Sequence, residues 1–190
     1  MNETTRRPFH IVGISGSLRT ASYNTGLLRA AQEVTPTGVT VEIADISRLP
    51  LYNEDLNVEG GPQPVRDFKA QLRTADALLF AVAEYNYSLS GVLKNAIDWA
   101  SRPLAGNPLR FKPAAMMGVG GQFGTVRAQL TLRQIFVFTE TYALLKPELM
   151  VMRGEEHFDA QGNLTDQVIR ERLRVVLDAL VVWAQQVKRD

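Results

Sequence analysis

The sequence contains no cysteine, and that absence removes disulfide staples, thiolate metal sites and thiol nucleophiles together. It suits a reducing compartment, and any redox chemistry must then be carried by a borrowed group. Histidine is nearly as scarce, with 2 in 190 residues. His10 falls in an apolar run and His157 in a polar segment, far apart and without Asp or Glu at ligand spacing, so no metal site is expected. Charge of one sign is missing as well. Lysine and arginine number 21 against 20 acidic residues, a net charge of +1, which gives no field to gather nucleic acid or anionic lipid. No apolar run approaches the ~18 residues of a membrane span, and Met1 to Pro8 lacks the apolar core of a secretory leader. The expectation is a cytoplasmic chain that takes a small ligand and has neither nucleic-acid nor membrane partners.

What is present is a hydrophobic content of 45%, enough to bury one sizeable core, and residues 1–190 are read as a single domain. Phe9 to Ile14 is a short, branched run ending at Ser15-Gly16-Ser17, which predicts a buried strand entering a tight loop. From Asn24, the residues Leu27, Leu28, Ala31 and Val34 recur at helical spacing until Pro36 and Gly38 stop them. A second strand is expected over Val39 to Ala44. Leu49 to Gly61 has no period and reads as a long functional loop. Val65, Phe68 and Leu72 mark a helix behind Pro64, and Ala77 to Ala83 is continuously apolar, as a central parallel strand requires. Gly91 to Ala100, Ala114 to Val119 and Thr125 to Val137 continue the alternation of helix and strand. Tyr142 to Leu145 and Leu149 to Met152 share the fifth strand position, and Ile169 to Val187 forms the last helix. The pattern predicts an α/β fold: a doubly wound parallel sheet of five strands with helices on both faces.

Ligands of such sheets sit at the carboxyl ends of the strands, so the loops after strands one, three and four are where chemistry is expected. The first runs from Gly13 to Asn24. Its hydroxyls at Ser15, Ser17 and Ser22, the Asn24 amide and the N–H groups opening the helix suit a phosphate, to which Arg19 adds a charge-assisted bond. Ser22 alternatively serves only as a helix cap. The spacing is neither GxxxxGK[ST] nor GxGxxG, and no GxSxG elbow exists for a hydrolase. The second loop, Ala83-Glu84-Tyr85-Asn86-Tyr87, offers aromatic faces beside backbone hydrogen-bonding groups, a setting that fits a flat ring such as a flavin. After it, Ser90 reads as a helix cap, and Ala96, Ile97 and Trp99 as core. The third, Gly118-Val119-Gly120-Gly121-Gln122-Phe123-Gly124, allows a backbone to approach a flat ligand closely. Arg127, Arg133, Arg170, Arg172 and Arg174 are spaced mostly as solvated helix faces.

Taken together, Gly16-Ser17-Leu18-Arg19 with Ser22 and Asn24, Glu84-Tyr85-Asn86-Tyr87-Ser88, and Gly91 to Trp99 continued by Ala100-Ser101-Arg102-Pro103 resemble the NADPH-dependent FMN reductase family. This flavodoxin-like group includes quinone, chromate and azo-compound reductases, and the likeness covers nearly the whole chain. It implies the strand order 2-1-3-4-5 and FMN as cofactor, with NADPH or NADH as electron donor. The small-molecule acceptor would be a quinone, flavin, azo compound or chromate. It also implies that Ser17, Arg19, Ser22 and Asn24 hold the FMN phosphate, with Ser15 beside them. Ala83, Glu84, Tyr85 and Asn86 would border the ring, and Gly120 and Gly121 would close its other side. A homodimer or homotetramer is implied as well.

The chain departs from the family's Thr-Pro-Glu-Tyr-Asn, and from a proline before the following glycine, by carrying Val82, Ala83 and Ser90. Each lost proline loosens the loop by about 0.4–1 kcal/mol through the unfolded chain, too little to abolish flavin binding. A non-enzymatic flavodoxin-type electron carrier is the alternative reading, disfavoured because such carriers are strongly acidic. A receiver-like module would need paired acidic residues after strand one, where this chain has Gly and Ser.

Overall fold

In this computed structural model, which describes residues 7–103 and 106–187, the chain opens with β1 (Phe9–Ser15), α1 (Tyr23–Glu33), β2 (Val39–Ala44), α2 (Gln63–Thr74) and β3 (Ala77–Ala81). A hairpin of β4 (Glu84–Tyr85) and β5 (Ser88–Leu89) precedes α3 (Gly91–Ala100), β6 (Pro113–Val119) and α4 (Val126–Thr139). The chain closes with β7 (Tyr142–Ala143), β8 (Leu149–Val151) and α5 (Gln167–Val187). The main sheet is parallel in the order β2-β1-β3-β6-β7, and β8 also pairs with β6. With β6 as the fourth main strand and β7 and β8 sharing the fifth position, this is the 2-1-3-4-5 order.

Side chains alternate across the sheet with period two, and each parity enters its own core. Ile11, Leu79, Ala115 and Met117 pack with Leu27 and Leu28 of α1 and with Leu173, Leu177 and Leu180 of α5. On the opposite face, Val12, Ile14, Leu78, Phe80 and Met116 meet Phe68 and Leu72 of α2, Leu93 and Ile97 of α3, and Leu132 and Phe136 of α4. The rings of Phe80 and Phe136 lie 5.2 Å apart, tilted at 59°. Ala96, Ile97 and Trp99 are core, as their helical spacing implied.

Two local features differ from expectation. The third strand ends at Ala81 rather than running to Ala83, and the chain beyond it forms a two-stranded hairpin instead of an open loop. The hairpin turn holds Asn86 and Tyr87 at φ of 49° and 67°, the handedness that matches the twist of a tight two-residue hairpin. Asn tolerates that conformation more readily than Tyr, and no glycine announces the turn. Among the described residues no helix is long and apolar enough to cross a membrane.

Candidate functional site

At the carboxyl end of β1 the chain folds back on itself through its own hydroxyls. The Ser15 hydroxyl bonds Thr25 Oγ1 at 2.7 Å and donates to the Ser17 carbonyl at 3.2 Å. The Ser17 hydroxyl accepts the Arg19 N–H at 3.4 Å. Ser22 is extended and caps α1, accepting the Thr25 N–H at 3.4 Å. Its side chain therefore fills the helix-capping role that its position allowed, and the free N–H groups of the first turn leave the helix start attractive to an anion. Arg19 is exposed; its guanidinium donates to the Ala21 carbonyl at 3.1 Å and lies 5.8 Å from the Tyr23 ring centroid. Asn24 is buried, and its amide exchanges hydrogen bonds of 3.0 Å with both the N–H and the carbonyl of Val119. Asn24 thus ties α1 to the end of β6.

Gly16 sits where this loop crosses the end of β3. A Cβ there would lie 2.9 Å from the Ala83 nitrogen and 3.2 Å from the Ala81 oxygen, so only glycine lets the two backbones approach so closely. Val82 donates its N–H to the Met117 carbonyl at 2.8 Å. Ser90 caps α3 by accepting the Leu93 N–H at 3.3 Å, a bond that a proline ring could not make. The departures at 82 and 90 are therefore accommodated by packing and by a cap.

The hairpin is fastened to α4 by Glu84. One carboxylate oxygen receives Arg127 Nε at 2.5 Å, and the other receives the N–H groups of Arg127 and Ala128 at 3.2 and 3.3 Å. Thr125, at the start of α4, is left-handed and makes no capping bond with its side chain; Glu84 fills that role from outside the helix. The Arg127 guanidinium also lies 3.9 Å from the Tyr87 ring centroid and 4.8 Å from that of Phe123. Arg127 is consequently a cross-link between the loops after β3 and β6, not the solvated helix residue that its spacing suggested. Arg133 and Arg170 likewise bond backbone carbonyls, at Leu144 and Leu164.

A cleft of about 660 Å³ opens between these parts. It is lined by Gly16 to Arg19, by Tyr85, by the start of α3 at Ser90, Gly91, Val92 and Asn95, and by Ile46, Ser47, Leu49 and Leu51 from the β2–α2 segment. Of the residues read from the sequence, Ser17, Arg19 and Tyr85 face this cleft. Ser15, Ser22 and Asn24 support the wall behind it, and Ala83 is buried at the crossing with Gly16. Asn86 occupies the exposed hairpin turn. Gly120 and Gly121 are not among the residues lining the cleft: Gly120 donates to the Val151 carbonyl at 3.1 Å and the Gly121 carbonyl accepts from Arg153 at 3.0 Å. A Cβ at Gly121 would meet no atom within 4 Å, so the backbone there has open space beside it.

Residues 9–156 match the family described as NADPH-dependent FMN reductase. The chain belongs to this family. The NADPH-dependent FMN reductase likeness extends to individual proteins. An NAD(P)H-dependent FMN reductase of Pseudomonas aeruginosa is 51% identical over 179 residues, 94% of this chain and 96% of that one. An NAD(P)H:quinone oxidoreductase of Solanum tuberosum is 47% identical over 184 residues, 94% of each chain. Among solved structures, the flavoenzyme NAD(P)H:(acceptor) oxidoreductase FerB of Paracoccus denitrificans superposes with a TM-score of 0.84 at 33% identity. The superposition covers 93% of this chain and 97% of that one. The flavodoxin-like, doubly wound architecture is thus shared with a flavoenzyme NAD(P)H:(acceptor) oxidoreductase.

The aperiodic β2–α2 segment reads from the sequence as a functional loop, yet no single residue in it stands out by spacing. One signal is there: Leu49-Pro50-Leu51-Tyr52 is an apolar stretch in a segment with no element to bury it. The segment is held by α3. The Asn95 amide donates to the Pro50 carbonyl at 2.9 Å and accepts the Tyr52 N–H at 2.7 Å, while Trp99 Nε1 donates to the same carbonyl at 2.8 Å. Tyr52 stands edge-on to Trp99 with centroids 4.9 Å apart, and its hydrogen bond to Glu54 raises its pKa. Lys69, buried beneath, donates to the Arg102 carbonyl at 2.6 Å, and burial pushes its ammonium below the usual lysine range.

Proposed function

We propose that this protein is an FMN-dependent NAD(P)H oxidoreductase that reduces a small acceptor, with quinones as the foremost class. The observation that carries this reading is the composition of one cleft. Hydroxyl and guanidinium donors stand at Ser17 and Arg19, a few residues before α1 begins, while Leu18, Ile46, Leu49, Val92 and Tyr85 supply apolar surface beside them. A phosphate-bearing flat ring needs that pairing of an anion seat with apolar walls. A volume of about 660 Å³ accommodates a cofactor of that size.

The residues present fit FMN. Ser17, Arg19, Ser22 and the α1 N-terminus would hold the phosphate, with Ser15 and Asn24 fixing the loop that carries them. Ala83, Tyr85 and Asn86 would border the ring through backbone groups, Glu84 would contribute by setting the hairpin's position, and Gly120 and Gly121 would approach from the β6 loop. When bound, FMN supplies a two-electron carrier between NADPH or NADH and the acceptor. The chain's own part is to seat, orient and stabilise: N–H groups of the hairpin and of the glycine loop favour the negative charge that arrives with the electrons. No acid or base side chain is required for that role.

Self-association, as a homodimer or homotetramer, belongs to the same proposal. It is supported by α4, which leaves Val137 81% and Phe138 61% exposed on one turn, an apolar surface unusual for solvent. A cytoplasmic setting accords with the lack of cysteine. Mixing the purified protein with FMN and NADPH in the absence of oxygen should give a yellow holoprotein whose flavin absorbance bleaches. Failure to take up flavin at micromolar FMN would overturn the reading.

A further inference from the structure

Three separate segments bring large apolar side chains to the mouth of the cleft and leave them in solvent: Leu18 is 52%, Tyr85 54% and Leu51 83% exposed. Leu51 is the extreme case, and its exposure is built in. The residues on either side of it are fastened to α3, Pro50 through its carbonyl and Tyr52 through its N–H, by the two ends of the Asn95 amide. Trp99 adds a second bond to Pro50 and an aromatic contact to Tyr52. With both neighbours held against the helix, Leu51 stays largely exposed on the cleft wall. An apolar side chain displayed on a braced backbone gains free energy only when something apolar covers it.

We propose that Leu51 is a specificity-determining residue that covers one face of the acceptor and selects uncharged, apolar acceptors over hydrophilic ionic ones. This rests on the oxidoreductase reading above. The braced loop lowers the cost of ordering that wall when the acceptor arrives, and the Asn95–Pro50–Tyr52 clamp sets its distance from Val92 and Tyr85.

The test compares Leu51→Asn, which keeps the size and removes the apolar character, with Leu51→Met as the conservative control. The position is so exposed that neither substitution should affect the fold. Steady-state rates are measured with menadione, an apolar quinone, and with ferricyanide, a hydrophilic anion. Menadione is also titrated calorimetrically into oxidised holoprotein without nicotinamide cofactor, which reads binding apart from turnover. The expected result for Leu51→Asn is a roughly tenfold loss in kcat/KM and in affinity for menadione, with a much smaller loss for ferricyanide and Leu51→Met close to wild type. Equal losses with both acceptors, or no loss with either, would overturn the assignment while leaving the enzyme reading intact. So would a change in sedimentation on Leu51→Asn, which would mean that a second copy of the chain covers this residue. A wild-type protein that takes up no FMN would instead defeat the enzyme reading itself, and this inference with it.

Discussion

Glu84 and Arg127 stand 43 residues apart in sequence and meet through two bonds, from the Arg127 side chain and from its N–H, and the Ala128 N–H adds a third bond to the same carboxylate. The pair makes the hairpin after β3 and the helix after β6 one mechanical unit. The Glu84 side chain is 9% exposed and that of Arg127 32%, so the pair is partly screened. Replacing Glu84 with Ala should lower stability by about 2 kcal/mol, combining a lost cap with a lost partly buried charge partner. Glu84→Gln, which keeps hydrogen-bonding capacity, should cost about 1 kcal/mol. Urea unfolding of both variants checks the order.

Asn24 bears on the other side of the site. Its amide satisfies both backbone groups of Val119 in a buried setting, and removing it leaves an N–H and a carbonyl without partners. Asn24→Ala should destabilise the protein by about 2–3 kcal/mol. Amide hydrogen exchange should speed up at Val119 more than in β1. A loss of FMN affinity without a loss of stability would contradict this structural role.

The two kinds of glycine at the site separate packing from ligand approach. Gly16→Ala would place a methyl group 2.9 Å from the Ala83 nitrogen, so both stability and FMN affinity should fall. Gly121→Ala meets nothing within 4 Å and should leave stability within about 0.5 kcal/mol. If the backbone at Gly121 approaches the flavin, the same variant should weaken FMN several-fold in a fluorescence titration.

The parts of the fold that are legible in the sequence are those with local causes. Strands such as Ile11 to Ile14 and Ala77 to Ala81 declare themselves because both faces of a parallel sheet are buried. Ser22 and Ser90 read as caps because a serine before a helical run bonds its own next turn. The donors at Ser17 and Arg19 emerge from the same stretch. The hairpin is silent in the sequence because its turn places Tyr87 at positive φ without a glycine to signal it. Glu84 and Arg127 look unrelated there because a cap supplied from another element leaves no local pattern. Leu51 becomes visible as a wall residue only through Asn95 and Trp99, 44 and 48 positions later, which brace its neighbours.

Asp166, just before α5, should contribute to acid sensitivity. Asp166 accepts the Ile169 N–H at 3.1 Å and bonds His157 at 2.8 Å, and these bonds, the backbone one foremost, hold its carboxyl below the usual aspartate range. Its folded pKa is depressed, so the stability that it contributes is present above its unfolded value and is lost as pH falls through the folded one. Asp166→Asn should therefore flatten the stability profile below about pH 4 relative to wild type. Thermal unfolding across that range measures it.

The α4 surface offers a test of assembly. Val137→Glu combined with Phe138→Glu puts two charges on one exposed apolar turn while leaving Phe136 in the core. Analytical ultracentrifugation should show the wild type as an oligomer and the double variant as a smaller species, each retaining its unfolding cooperativity.

The sheet ends, on the side away from β2, in two fragments laid end to end along β6: two residues of β7 and three of β8. Neither fragment leaves enough unpaired backbone in one line to recruit a strand from another molecule. On that side growth by strand addition is closed off, and copies can meet there only through side chains, so crowding at high concentration should not seed fibrils from that edge.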